Sequence, residues 1–294
     1  MNIHLSTVTL LVSGFVVLSA CSSEPVNSPP QPDLVLEGTA LQLQNAGAPY
    51  SPTPVGATAM VALSGSVADG SNETAISDGT YLLVDADGFD ENGVLTDGTV
   101  YAVALDGPEG ETFTGSYEYV VPVAYTYQNG SSTNSVLGNI GIMAAAADMP
   151  IAGTAQYTGD AYARVESSDA QTEFLLYGGL SIIDVDFAAG TVDVTMGLFA
   201  SVDLYAPTVI APIDTISGTG MSIIGASFAG GTWVTLKNGV VVNFTGPSTT
   251  GAASGDFYGY NPVTAAPDEI GGVILMEGDS GLVYGIYTAN LMTP

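Results

Sequence analysis

Ile183-Asp184-Val185-Asp186-Phe187-Ala188-Ala189-Gly190-Thr191-Val192-Asp193-Val194-Thr195-Met196 decides the fold class of this chain. Ile183, Val185 and Phe187 alternate with Asp184 and Asp186. Val192, Val194 and Met196 alternate with Thr191, Asp193 and Thr195. A period of two puts one set of side chains on a buried face and the other in water, which is the pattern of a strand and not of a helix. The run Phe187 to Thr191 between them reads as a hairpin turn. Downstream, Lys237-Asn238-Gly239-Val240 separates Thr232-Trp233-Val234-Thr235-Leu236 from Val241-Val242-Asn243-Phe244. Asn-Gly supplies the positive φ angles of a type I′ turn. Glu277-Gly278-Asp279-Ser280-Gly281-Leu282 reads as a further hairpin turn. Consecutive hairpins predict an antiparallel meander, and closing it into a barrel removes its exposed edges.

Residues 34–149 are less regular and read as a smaller β-domain. Ala59 to Leu63, Tyr81 to Val84 and Val100 to Leu105 are short apolar runs bounded by Gly and Asp. Tyr117-Glu118-Tyr119-Val120-Val121 and Val123-Ala124-Tyr125-Thr126-Tyr127 flank Pro122, which has no N–H for a sheet ladder and demotes the pair to an edge or a bend. Ala144 to Ala147 invites a helix, but Pro150 closes it early.

The N-terminal segment carries an address. Val8 to Leu18 is a mostly apolar stretch of signal-peptide length, too short to span a bilayer. Leu18-Ser19-Ala20-Cys21 has the form of a lipobox, and Cys21 is the chain's one cysteine. The expectation is a signal peptide over 1–20, an acylated Cys21 and a tether over 21–33 in which Pro25, Pro29, Pro30 and Pro32 favour extended backbone. Acyl chains make such a protein membrane-anchored, with palmitate a usual component, and Ser22 is compatible with sorting to the outer membrane.

Composition narrows the chemistry. The net charge of −28 arises because only Arg164 and Lys237 oppose 30 acidic residues. Nucleic-acid binding needs phosphates neutralised, and docking on anionic lipid needs a basic patch, so both are excluded. The acidity suits either solubility in a saline habitat or steering of a cationic protein partner. The only histidine, His4, lies in the predicted signal. Once that signal is removed there is no imidazole for a Ser-His-Asp triad and no His or Cys for a zinc site. Carboxylate pairs and oxygen-ligand metal sites survive this filter.

Three constellations remain. Asp85, Asp87, Asp90 and Glu91 are hard oxygen donors at close spacing with Gly88 and Gly93 among them, a loose match to a calcium loop; the alternative is a solvated acidic hairpin loop. Tyr117, Tyr119, Tyr125 and Tyr127 pair at period two around Pro122 and suit either a ligand-binding surface or strand packing. Asp184, Asp186 and Asp193 could form the carboxylate pair of a hydrolase, but they fall on the predicted wet face with no cleft implied.

Gly255-Asp256-Phe257-Tyr258-Gly259, then Glu269-Ile270-Gly271-Gly272, then Gly285-Ile286-Tyr287-Thr288-Ala289 resemble the C-terminal β-barrel of the transferrin-binding protein B family of surface lipoproteins, which includes factor H binding protein. Gly153 to Gly159 is similar to the first barrel strand, Val185-Asp186-Phe187 to the entry of a hairpin, and Ile216 through Gly230 to a central strand pair. The resemblance implies an all-β chain with an eight-stranded antiparallel barrel over 150–294, preceded by a handle-like domain over 34–149. Phe257 and Tyr258 point to opposite faces, one plugging the barrel and the other on its outside or rim. Glu269 reads as a turn anchor, a carboxylate capping backbone amides. The resemblance further implies a non-catalytic outer-membrane lipoprotein, exposed at the surface, that binds an extracellular protein or a nutrient carrier, with no cofactor. The alternatives are a structural or adhesive protein without a specific ligand and, remotely, a carboxylate-based hydrolase.

Overall fold

The computed structural model describes residues 34–45, 58–67, 73–76, 81–83, 117–129, 132–167, 173–197, 200–203, 213–242, 245, 250–260, 263–279 and 281–292. Every element among them is a strand. Six make the first sheet: β1 (Leu34–Asn45), β2 (Thr58–Val67), β3 (Glu73–Ile76), β4 (Tyr81–Leu83), β5 (Val120–Asn129) and β6 (Ser132–Gly141). Ten make the second: β7 (Thr154–Ser167), β8 (Glu173–Asp186), β9 (Thr191–Gly197), β10 (Ala200–Asp203), β11 (Thr215–Ile224), β12 (Ser227–Lys237), β13 (Val240–Val242), β14 (Thr250–Tyr258), β15 (Glu269–Gly278) and β16 (Gly281–Leu291).

The second sheet closes. Its path runs β8-β7-β16-β15-β14-β12-β11-β9, and β9 pairs back onto β8. Those eight antiparallel strands form the expected barrel, with β10 extending along β8 and β13 along β12. Closure joins the first barrel strand to the last, in a ladder from Gly281↔Ser167 to Leu291↔Tyr157. The hairpins fall where the sequence places them. Asn238 (φ 51°) and Gly239 (φ 76°) both have positive φ, and Lys237 pairs with Val240, so the two-residue turn is of type I′. Asp186 pairs with Thr191 across a turn at 187–190. On β9, Val192, Val194 and Met196 are buried while Asp193 and Thr195 face water.

The barrel interior is side-chain filled. Phe257 sits at its centre, with the rings of Phe228, Phe187 and Tyr157 at centroid distances of 5.4, 6.0 and 6.5 Å. These tilted and edge-on contacts suit the aromatic quadrupole. Gly218 lies opposite Trp233 on the β11–β12 ladder, and the indole lies so close that an added Cβ at Gly218 would come within 2.5 Å of it. The segment 142–153 crosses one end of the barrel. Ala144 donates to Phe257 O (2.8 Å) and joins the core, Met143 and Met149 pack against it, and Phe187 donates to Gly153 O (3.0 Å). This end is plugged by the connection between the two sheets; no helix forms at Ala144 to Ala147.

The first sheet has the order β4-β3-β2-β1-β6-β5. Pro122 lies within β5, the edge strand, paired with Asn139, which is where a residue without an N–H is tolerated. This sheet packs on the outer wall of the barrel. Leu41, Leu43 and Leu137 interdigitate with Val273, Leu282, Tyr284 and Ile286. The consequence is visible in β15 and β16, whose residues are buried almost throughout because one face meets the barrel core and the other meets the first sheet. Two-faced burial explains why these strands read as apolar runs without alternation.

Candidate functional site

The three family-like stretches of sequence converge. On the β14–β15 ladder Gly255 faces Gly272, Asp256 faces Gly271, Phe257 faces Ile270 and Tyr258 faces Glu269. On the β15–β16 ladder Gly271 faces Thr288 and Gly272 faces Tyr287. Alternation then sorts them. Phe257 and Tyr287 point into the barrel, whereas Asp256, Tyr258, Glu269 and Thr288 point at the first sheet. Tyr258 is on the opposite face from Phe257, as the period requires, but it is fully buried beside Tyr117 and Val120 and forms no outer or rim belt.

The outward-pointing polar groups make a seam between the sheets. Glu269 Oε2 accepts backbone N–H groups from Tyr119 (2.9 Å) and Val120 (2.8 Å), and Oε1 accepts that of Glu118. A carboxylate capping backbone amides is the character expected of Glu269. The amides, however, belong to the entry of β5 about half the chain away, not to its own turn. Burial pushes the Glu269 carboxyl up to about 7, against the pull of the three amides. Asn139 on β6 is fully buried. Its Nδ2 donates to Gly272 O (3.3 Å) and Tyr287 O (3.2 Å), and its Oδ1 accepts from Thr288 Oγ1 (2.7 Å). Thr39 on β1 donates to Asp256 Oδ2 (2.8 Å). Burial raises the Asp256 carboxyl, opposed by hydroxyl donors that include Thr39.

The glycines of the motif serve this seam. A Cβ on Gly271 would lie 2.7 Å from Asn139 Cγ, so only hydrogen lets the amide reach the barrel wall. A Cβ on Gly272 would lie 2.4 Å from the Tyr287 hydroxyl on the inner side. Gly-Gly therefore admits one polar group from each face of a doubly buried strand. Nothing in the sequence points to Asn139, because its partners are 133 and 148 residues downstream.

The tyrosines separate. Tyr117 is buried, and its hydroxyl stands 2.9 Å from both Asp160 Oδ2 and Thr288 O while accepting the Asp160 N–H (3.2 Å). Burial, then the Asp160 charge, holds its phenol far above the usual range. Tyr119 is half-buried, and its ring covers Gly259. Tyr117 is thus a packing residue of the seam. The backbones of Tyr125 and Tyr127 lie on the edge strand β5; their side chains lie outside the described residues. So do Cys21 and the acidic group Asp85, Asp87, Asp90 and Glu91. Among the described residues no three His, Cys, Asp or Glu side chains gather in a way that could hold a metal ion.

Asp184 and Asp193 are cross-strand partners, and each has a structural tie. Gln156 donates to Asp184 (2.7 Å), Gly220 N–H to Asp193 (2.7 Å) and Ala189 N–H to Asp186 (2.9 Å). The Asp193 contact fixes the bulge between Gly218 and Met221, where Gly220 takes a positive φ of 71°.

No family model matches the sequence, and no curated protein matches it. Solved structures do. A transferrin-binding protein B variant from Haemophilus parasuis Hp5 aligns with a TM-score of 0.50 at 17% identity, covering 88% of this chain and 46% of that one. Transferrin-binding protein B from serogroup B Neisseria meningitidis aligns with a TM-score of 0.48 at 16% identity, covering 86% and 44%. The chain spans about half the length of these structures and shares the fold of the aligned part of the Haemophilus protein, as the motif resemblance implies.

Proposed function

We propose that this protein is a lipid-anchored, non-catalytic surface protein of the outer membrane that binds an extracellular protein or a nutrient carrier. The observation that carries the reading is the fold itself, a closed barrel packed against a second sheet, shared with the aligned part of a protein whose name records transferrin binding. The seam supports it. Its buried acids are engaged by amide and hydroxyl donors of the opposite sheet, so their chemistry is to hold two sheets in one orientation. Such a scaffold presents loops and an edge strand without rearranging on contact, which keeps the ordering cost of binding low. The lipobox at Cys21 supports the anchor. Within this reading, Tyr125 and Tyr127 on the edge strand β5 are the binding tyrosines.

The test is capture from host serum and from spent medium on immobilised mature protein, with an iron carrier as the first named ligand. Saturable capture that is lost in Tyr125→Ala and Tyr127→Ala, at an unchanged melting temperature, supports the reading. Absence of any saturable ligand, with the protein exposed to protease on intact cells, supports a structural or adhesive coat instead.

A further inference from the structure

Arg164 and Lys237 are the only basic residues in the sequence, so only two of its peptide bonds follow a lysine or an arginine. Those two bonds are the ones open to a trypsin-type serine protease, whose specificity pocket carries a carboxylate for a basic side chain. Cleavage acts on a locally opened stretch of chain and not on a paired strand. The two bonds differ in how they are held. Arg164 lies within β7 and pairs with Tyr284 of β16 on one side and Leu175 of β8 on the other. Freeing it means opening the barrel wall. Lys237 ends β12, and its bond to Asn238 leads into the type I′ turn. Asn238 and Gly239 are exposed, and β13 beyond them is three residues long with Val240 and Val241 exposed. Exposed tips of this kind are where nicking concentrates, so Lys237–Asn238 is the weaker of the two bonds.

Asp214 sits on that bond. Its Oδ2 accepts the Asn238 N–H at 2.9 Å, the nitrogen of the scissile bond itself. The same oxygen lies 3.7 Å from Lys237 Nζ, the group a protease must take into its pocket. Asp214 is itself fixed in place. Its N–H donates to Leu236 O (2.9 Å), and Thr215 Oγ1 donates to its Oδ1 (3.1 Å). Thr215 pairs with Leu236 on the β11–β12 ladder, and Ile213 is buried in the barrel core. The Lys237 and Asp214 side chains are each 30% exposed, so the ion pair adds little to stability. What matters is which atoms it occupies.

We propose that Asp214 is a guard that withholds the Lys237–Asn238 bond from trypsin-type proteases. For that bond to enter such an active site, Lys237 must exchange Asp214 for the pocket carboxylate and the Asn238 N–H must be released. The turn must also leave its positive φ angles for extended backbone. The protease serine then attacks the Lys237 carbonyl, the Asn238 nitrogen leaves as an amine, and water frees a Lys237 carboxylate. One water is consumed and one peptide bond is lost. The cut falls between β12 and β13, but β14 pairs with β12 and β16 with β7 across it, so the two fragments stay in one body. The proposal is independent of the ligand reading.

The experiment digests the full folded chain with trypsin and locates the cuts by mass spectrometry after denaturation. Expected are slow cleavage of wild type and about tenfold faster cleavage of Asp214→Ala at Lys237 alone, since that variant loses a hydrogen bond to a charged acceptor and the open form is more populated. Asp214→Ala combined with Lys237→Gln should not be cut there. Asp214→Asn keeps an oxygen for the Asn238 N–H but no charge for Lys237, and should fall between Asp214→Ala and wild type. Equal rates in wild type and Asp214→Ala overturn the guard. So does cleavage at Arg164 that quickens in step with cleavage at Lys237, which would mean that the substitution loosens the whole barrel.

Discussion

Glu269 on the barrel accepts the backbone N–H of Val120 on the first sheet at 2.8 Å, across 149 residues of sequence, and takes the amides of Glu118 and Tyr119 as well. Three successive donors at the entry of an edge strand have one acceptor group. Glu269→Ala leaves the Val120 amide buried without an acceptor and the other two part-buried, and is expected to lower stability by about 3 kcal/mol. Glu269→Gln keeps one carbonyl oxygen and should cost less. Denaturant unfolding of both variants checks the order.

The same residue gives a pH dependence of definite sign. The carboxyl is held at about 7 in the folded protein against 4.5 ordinarily, so the folded state keeps a proton that the unfolded chain releases. Its contribution is fully present below about 4.5 and is lost as pH rises through about 7, a change of order 2–3 kcal/mol. Burial raises Asp256 and Glu166 in the same direction. Melting temperatures between pH 4.5 and 8 should fall more steeply for wild type than for Glu269→Gln; parallel curves would remove Glu269 as the cause.

Gly271 and Asn139 form a testable pair, because the added methyl of Gly271→Ala meets Asn139 Cγ at 2.7 Å. Gly271→Ala is expected to cost about 1–3 kcal/mol by overpacking. Asn139→Ala removes both the clash and three hydrogen bonds, so the double variant should be less destabilised than the sum of the singles by about 1 kcal/mol or more. Gly272→Ala meets the Tyr287 hydroxyl instead and should show no such rescue by Asn139→Ala.

Alkaline titration should be cooperative. Burial raises the phenols of Tyr117, Tyr157, Tyr258, Tyr284 and Tyr287, and that of Tyr162 to about 12. The folded state retains protons that an unfolded tyrosine loses near about 10, so stability is present below that pH and is lost above it. The phenolate absorbance of these six, of the chain's 15 tyrosines, should rise in one steep step coincident with loss of the sheet circular-dichroism signal. Ionisation of all 15 tyrosines before the sheet signal is lost would contradict the burial of these rings.

The barrel was readable because its information is local. The alternation at 191–196, the Asn238-Gly239 turn and the hairpin at 187–190 each specify pairing between neighbours in sequence. The seam was not, because its partners are remote. Glu269 showed its type but not its amides, and Asn139 showed nothing. The sequence shows that Phe257 and Tyr258 face opposite ways but not that the first sheet covers the outward one, Tyr258. The pairing of β1 with β6 likewise brings together segments about a hundred residues apart, for which no turn residue gives a signal.

The doubly covered strand β16 also governs when this molecule can assemble. It is the partner that β7 has been waiting for and half of the bed on which the first sheet lies. Until it emerges, the cylinder cannot close and the seam lacks the Tyr287 and Thr288 partners of Asn139. The same dependence makes the tail an all-or-nothing checkpoint. A product truncated before Gly281 leaves β7 and β15 with unpaired edges and takes Leu282, Tyr284 and Ile286 from beneath the first sheet.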